Sequence, residues 1–109
     1  MNFEKFLHWL RTNFQKSQMI RSLGGKTNFK AKIHDDGNQL NIEYGTRGKF
    51  GYFSDDNLKL VWGRYMSLGG KKQVASEYTD PNWTQTPNRV LAPYAAALIR
   101  DFENDFQAQ

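Results

Sequence analysis

Between Glu77 and Arg89 the chain gathers side chains that could do chemistry: two carboxylates (Glu77, Asp80), two large rings (Tyr78, Trp83), an amide (Asn88) and a guanidinium (Arg89). The planar fork of Arg89 suits a carboxylate or a phosphate, because it can donate two parallel hydrogen bonds. Asp80 precedes Pro81, which favours extended or turn backbone, and its carboxylate can accept from the backbone of Asn82 or Trp83. Connecting segments are normally built from small polar residues, so rings here are either pinned to a core or kept for binding. Interfaces favour Tyr, Trp and Arg. One candidate surface is therefore a protein- or ligand-interaction site made of Arg64, Tyr78, Trp83, Arg89 and Tyr94, with a homodimer as its simplest form. The competing reading is structural: Glu77 and Asp80 cap and pair within the loop.

A second candidate lies in the charge distribution. The net charge is +4, but residues 1–34 carry seven Lys or Arg against Glu4 alone, a local balance of +6. Lys30 and Lys32 alternate with Phe29, Ala31 and Ile33, which describes a strand with one basic face. Lys26, Arg47 and Lys49, in neighbouring turns, would complete a patch able to neutralise phosphates, with Asn41 placed to probe base edges. The leading expectation is a small non-enzymatic module that engages DNA or RNA through this sheet face and the first helix. Ordinary solvated helix and strand faces would explain the same charges.

Two short stretches invite comparison with known modules. Gly45-Thr46-Arg47-Gly48 is similar to the loop that clamps a nucleotide backbone in KH domains, but there it joins two helices and here strand-like residues flank it. Arg47 to Phe53 (Arg-Gly-Lys-Phe-Gly-Tyr-Phe) is similar to the aromatic strand motif of RRM domains, with Lys49 as an insertion. Alternation places Phe50 and Tyr52 on one face, as base stacking requires. An RRM begins with a strand, however, and this chain begins with a helix. Neither family is assigned, and the expectation is a core-facing aromatic edge strand.

Catalytic signatures fail on residue identity. With His8 and His34 as the two histidines and no cysteine, neither a His-rich nor a Cys-based metal site is expected, and no cofactor is implied. His34-Asp35-Asp36 would hold a cation weakly at most, since Lys32 would occupy the first ligand position of an EF-hand loop. There is no G-x-S-x-G elbow, P-loop or G-x-G-x-x-G, and none of the four Glu residues is followed two positions later by Lys. An enzyme ranks third.

These side chains must be positioned by elements that the hydrophobic pattern outlines. Phe3, Leu7, Leu10 and Phe14 share one helical face, predicting a helix over 3–16 capped by Asn2, with an alternative end as late as Gly24-Gly25. The period then changes to two, predicting strands over 28–34, 39–44 and 50–53 around a turn at Asp35-Asp36-Gly37-Asn38. Ser54 and Asp55-Asp56 open a helix over 55–68 that presents Leu58, Val61, Trp62 and Tyr65. Residues 73–78 are a candidate fourth strand, and Pro93 opens a last helix to residue 106 with Leu98, Phe102 and Phe106 as its spine. The fold class is α+β, one domain over 1–109, with a three- to four-stranded antiparallel sheet packed on two or three helices. No apolar run reaches membrane-spanning length and the first residues do not resemble a signal peptide, so a soluble cytoplasmic protein is expected.

Overall fold

A computed structural model describes residues 2–34, 39–69, 74–83 and 90–108. Helix α1 (Phe3–Asn13) opens where the Asn2 side chain accepts from the Lys5 backbone N–H at 2.9 Å, and it buries Phe6, Leu7 and Leu10. It ends three residues before the expected boundary, and the chain then enters a strand that the sequence reading missed. This strand, β1 (Gln18–Arg21), pairs antiparallel with β2 (Asn28–Ile33). Pairing satisfies the outer edge of β2 and seats Ile20 beside Phe29, a tertiary gain that overrides any tendency to prolong the helix.

Strand β2 pairs with β3 (Gln39–Tyr44), and β3 with β4 (Lys49–Ser54), giving a four-stranded meander in sequence order. Asp35 to Asn38 lie outside the described residues; on either side, the His34 N–H donates to the Gln39 carbonyl at 2.8 Å. At the β3–β4 turn Gly45 and Gly48 both take positive φ (77° and 67°), which a side chain would resist. Phe29, Ala31, Ile33, Leu40, Ile42 and Phe53 point to one face and are buried.

Helix α2 (Asp55–Ser67) follows β4 directly, with the Ser54 hydroxyl accepting from the Asn57 N–H at 3.2 Å. It buries Leu58, Val61, Trp62 and Tyr65, as its periodicity predicts. Residues Ala75–Tyr78 form a single-turn helix, α3, rather than a fourth strand. Helix α4 (Ala92–Ala108) buries a run from Ala95 to Ile99 and also Phe102. The helices pack on one another and on one face of the sheet, forming a single core. Its aromatic centre is Phe6, which lies 5.4 Å from Trp62 and 5.5 Å from Phe102 between ring centroids. Among the described residues, no helix packs on the other sheet face. Among the described residues no helix is long and apolar enough to cross a membrane.

Candidate functional site

The register of the meander decides what the uncovered face presents. Phe53 pairs with Leu40 and Gly51 with Ile42, so the alternate residues Phe50 and Tyr52 must point away from the core. Phe50 is 60% exposed and Tyr52 49% exposed, which corrects the expectation of a core-facing aromatic strand. A large ring left in water gains nothing from folding, so two on one strand face are the most informative feature of the surface.

These rings complete two cross-strand rows. In the first, Met19 of β1 pairs with Lys30 of β2, Lys30 with Glu43 of β3, and Glu43 with Phe50 of β4. In the second, Lys32 pairs with Asn41 and Asn41 with Tyr52. Each row therefore runs from a lysine through a hydrogen-bonding side chain to a ring. Arg21 and Asn28 extend the face toward the β1–β2 turn, and His34 adds a ring 6.3 Å from Tyr52 at the other end. A cleft of about 160 Å³ opens between the rows, lined by Ser17, Lys30, Lys32, Asn41, Glu43 and Phe50.

The five basic residues expected to form the patch do not all share this face. Lys30 and Lys32 lie on it, as the alternation predicts. Lys26 and Arg47 stand exposed in the β1–β2 and β3–β4 turns, which antiparallel pairing brings to the same end of the sheet. Lys49 is a correction. It pairs with Tyr44 and shares its side of the strand with Gly51 and Phe53, so the register turns it away from Lys30 and Lys32.

The second candidate surface resolves into a structural clasp. Tyr78 is fully buried and Trp83 only 8% exposed, and their rings meet edge to face at 6.1 Å. Arg64 of α2 donates through Nε to the Glu77 carbonyl and through Nη2 to the Glu77 carboxylate, both at 3.1 Å. Its guanidinium lies 4.0 Å from the Asp80 carboxylate and 5.8 Å from the Trp83 ring centroid. The Asp80 carboxylate accepts from the Asn82 N–H at 2.9 Å, which is the expected turn. Tyr94 is packed between Phe29 and Tyr44 at ring distances of 4.9 and 5.2 Å, and burial raises its phenol above the ordinary value. Arg89 and Asn88 lie outside the described residues. The rings named as a partner surface are thus core and clasp, because their apolar area finds a place against α2 and α4.

Sequence reasoning set Phe50 and Tyr52 on one face of their strand but turned that face to the core. The signal was available: Gly51 and Phe53 take the inward positions only if the two rings point out. Among the described residues, no group of three or more His, Asp or Glu side chains is placed to hold a metal ion. Comparison with protein-family models, with curated proteins and with solved structures finds no match.

Proposed function

We propose that the open sheet face binds single-stranded nucleic acid, with Phe50 and Tyr52 as stacking platforms and Lys30 and Lys32 as phosphate contacts. The observation that carries this reading is the exposure of both rings on the face that also holds the two lysines. Each base stacked on an aromatic side chain contributes about 1–3 kcal/mol, and lysines opposite supply the sequence-independent attraction to the backbone.

The spacing favours a single strand over a duplex. Successive residues on one face of a strand are about 6.6–6.8 Å apart, roughly twice the 3.4 Å per nucleotide of a stacked helix. Bases seated on Phe50 and Tyr52 would therefore be unstacked from each other, which a duplex forbids. A four-stranded sheet is also broader than the helix or two-stranded ribbon that enters a major groove. The basic turns holding Lys26 and Arg47 would extend the track at one end.

Titration of labelled oligothymidylate, oligouridylate and mixed-sequence duplex DNA at low salt tests the reading. Tighter binding of the single strands, lost in Phe50→Ala and Tyr52→Ala, is expected; comparison of the deoxy and ribo oligomers separates DNA from RNA. Equal binding of duplex, or self-association through the same face that oligonucleotide cannot compete away, would overturn it.

A further inference from the structure

We infer that Glu43 and Asn41 read the Watson–Crick edge of the base stacked on Phe50, and that this base is guanine; the inference rests on the single-strand reading above. Three observations carry it. First, the Asn41 Oδ1 is buried without a hydrogen-bond partner. A buried acceptor left without a donor is costly and uncommon in folded proteins, and this one lines the cleft. The atom is closed off as it stands, so accepting from a ligand requires the Asn41 side chain to turn toward the cleft that it lines.

Second, Glu43 stands directly opposite Phe50 and Lys30, and its carboxylate makes no ion pair or hydrogen bond among the described residues. An acidic group on a phosphate-binding face opposes binding, so its position calls for a donor to receive. Third, the cleft is small. At about 160 Å³ it falls below the range of roughly 300–1,000 Å³ for drug-sized ligands, and suits one planar ring system rather than a cofactor.

The chemistry of the four bases then selects one. An ionised carboxylate accepts and never donates. Guanine alone presents two adjacent donors, N1–H and the N2 amino group, which the two Glu43 oxygens can receive side by side. The second N2 hydrogen would meet Asn41 Oδ1. Adenine and cytosine place a ring-nitrogen acceptor beside their amino group, which would face the carboxylate lone pairs. Thymine and uracil offer a single N3–H between two carbonyls. Phe50 supplies the platform and Lys30, across the row from Glu43, the phosphate contact.

The test uses oligothymidylate carrying one central dG, dA, dC, deoxyinosine or 7-deaza-dG, titrated into the full chain. A bidentate contact of this kind discriminates by on the order of tenfold, so dG should bind about tenfold more tightly than the all-thymidine oligomer. Deoxyinosine, which keeps N1–H and lacks the amino group, should fall between them, and 7-deaza-dG should match dG because N7 faces away. Glu43→Gln should abolish the preference without weakening the all-thymidine oligomer, which serves as the internal measure of a folded face. Asn41→Ala should narrow the gap between dG and deoxyinosine. Equal binding of dG and thymidine, a loss on 7-deaza substitution, or a preference that survives Glu43→Gln would overturn the assignment while leaving the single-strand reading standing. Failure of every oligomer to bind would overturn both.

Discussion

Leu91 fills the space that a side chain on Gly51 would need: a Cβ built there would collide with the Leu91 Cδ1, Cγ and Cδ2 atoms. Gly51 sits on the inner side of β4, opposite Ile42, so the missing side chain lets the segment before α4 close onto the strand. The same contact sets the direction of the neighbouring rings. With Leu91 locked against position 51, Phe50 and Tyr52 are held outward.

Gly51→Ala should therefore destabilise the fold by about 1–3 kcal/mol, the usual cost of overpacking a filled core. Urea denaturation reads this directly. A loss below about 0.5 kcal/mol would mean that Leu91 moves aside freely.

Phe50→Ala and Tyr52→Ala should separate binding from folding. Each should weaken single-strand affinity by about 1–3 kcal/mol, while stability changes by no more than about 0.5 kcal/mol, as expected for exposed positions. Thermal melts run beside the titrations would expose a structural role if the melting temperature fell sharply.

Lys30→Ala and Lys32→Ala should each flatten the salt dependence of binding by about 0.7 in the logarithmic slope, the value for one phosphate contact on a single strand. Lys49→Ala removes the same charge from the other side of the sheet and should leave the slope unchanged. Three equal slopes would show that net charge, rather than placement, drives association.

Arg64→Ala should cost about 1.5–3 kcal/mol, because it breaks charge-assisted hydrogen bonds to Glu77 and uncovers Trp83. Oligonucleotide affinity should not change. A binding defect without loss of stability would return the Tyr78–Arg89 segment to consideration as a contact surface.

Stability should fall in alkali. Burial, reinforced by the Glu103 carboxylate and opposed by Arg100, raises the Tyr65 phenol from 10.0 to about 12, and Tyr78 is raised further, chiefly by burial. Below pH 10 both phenols are neutral in the folded and unfolded chain, and stability does not depend on them. Above it the unfolded chain releases these protons first and so binds fewer, which lowers the free energy of unfolding as pH rises. Urea midpoints measured from pH 8 to pH 11 should decline above about pH 10, less steeply in Tyr65→Phe. A flat profile would contradict the burial of both phenols.

The elements with strong local signals were legible in the sequence. Asn2 and Ser54 cap helices as their residue types predict, and Trp62 with its neighbours is core because the 3.6-residue period leaves no other face. Strand β1 was not legible, since Gln-Met-Ile-Arg is short and becomes a strand only through the free edge of β2. Residues 73–78 alternate like a strand, with Val74, Ser76 and Tyr78 on one side, yet Tyr78 is buried by the helical turn Ala75–Tyr78 against α4. The ring pair on β4 was visible, but its direction depends on the register with β3 and on Leu91, which no local pattern records. Tyr78 and Trp83 looked available for binding because a loop is presumed to be surface; Arg64, distant in sequence, draws them inward.

Trp9 donates through Nε1 to the Asp105 carboxylate at 2.9 Å, and Arg100 donates to the Arg21 carbonyl at 2.6 Å. Both ties join the first elements of the chain to the last, whereas every sheet pairing joins neighbours in sequence. During synthesis the whole meander therefore leaves the ribosome before α4, the last part of its cover. Hairpins of such low contact order form quickly, and the apolar side of Phe29, Ile42 and Phe53 must wait for α4. Until α4 emerges the apolar side of the sheet is only partly covered, the window in which a folding helper would find it and in which aggregation would begin.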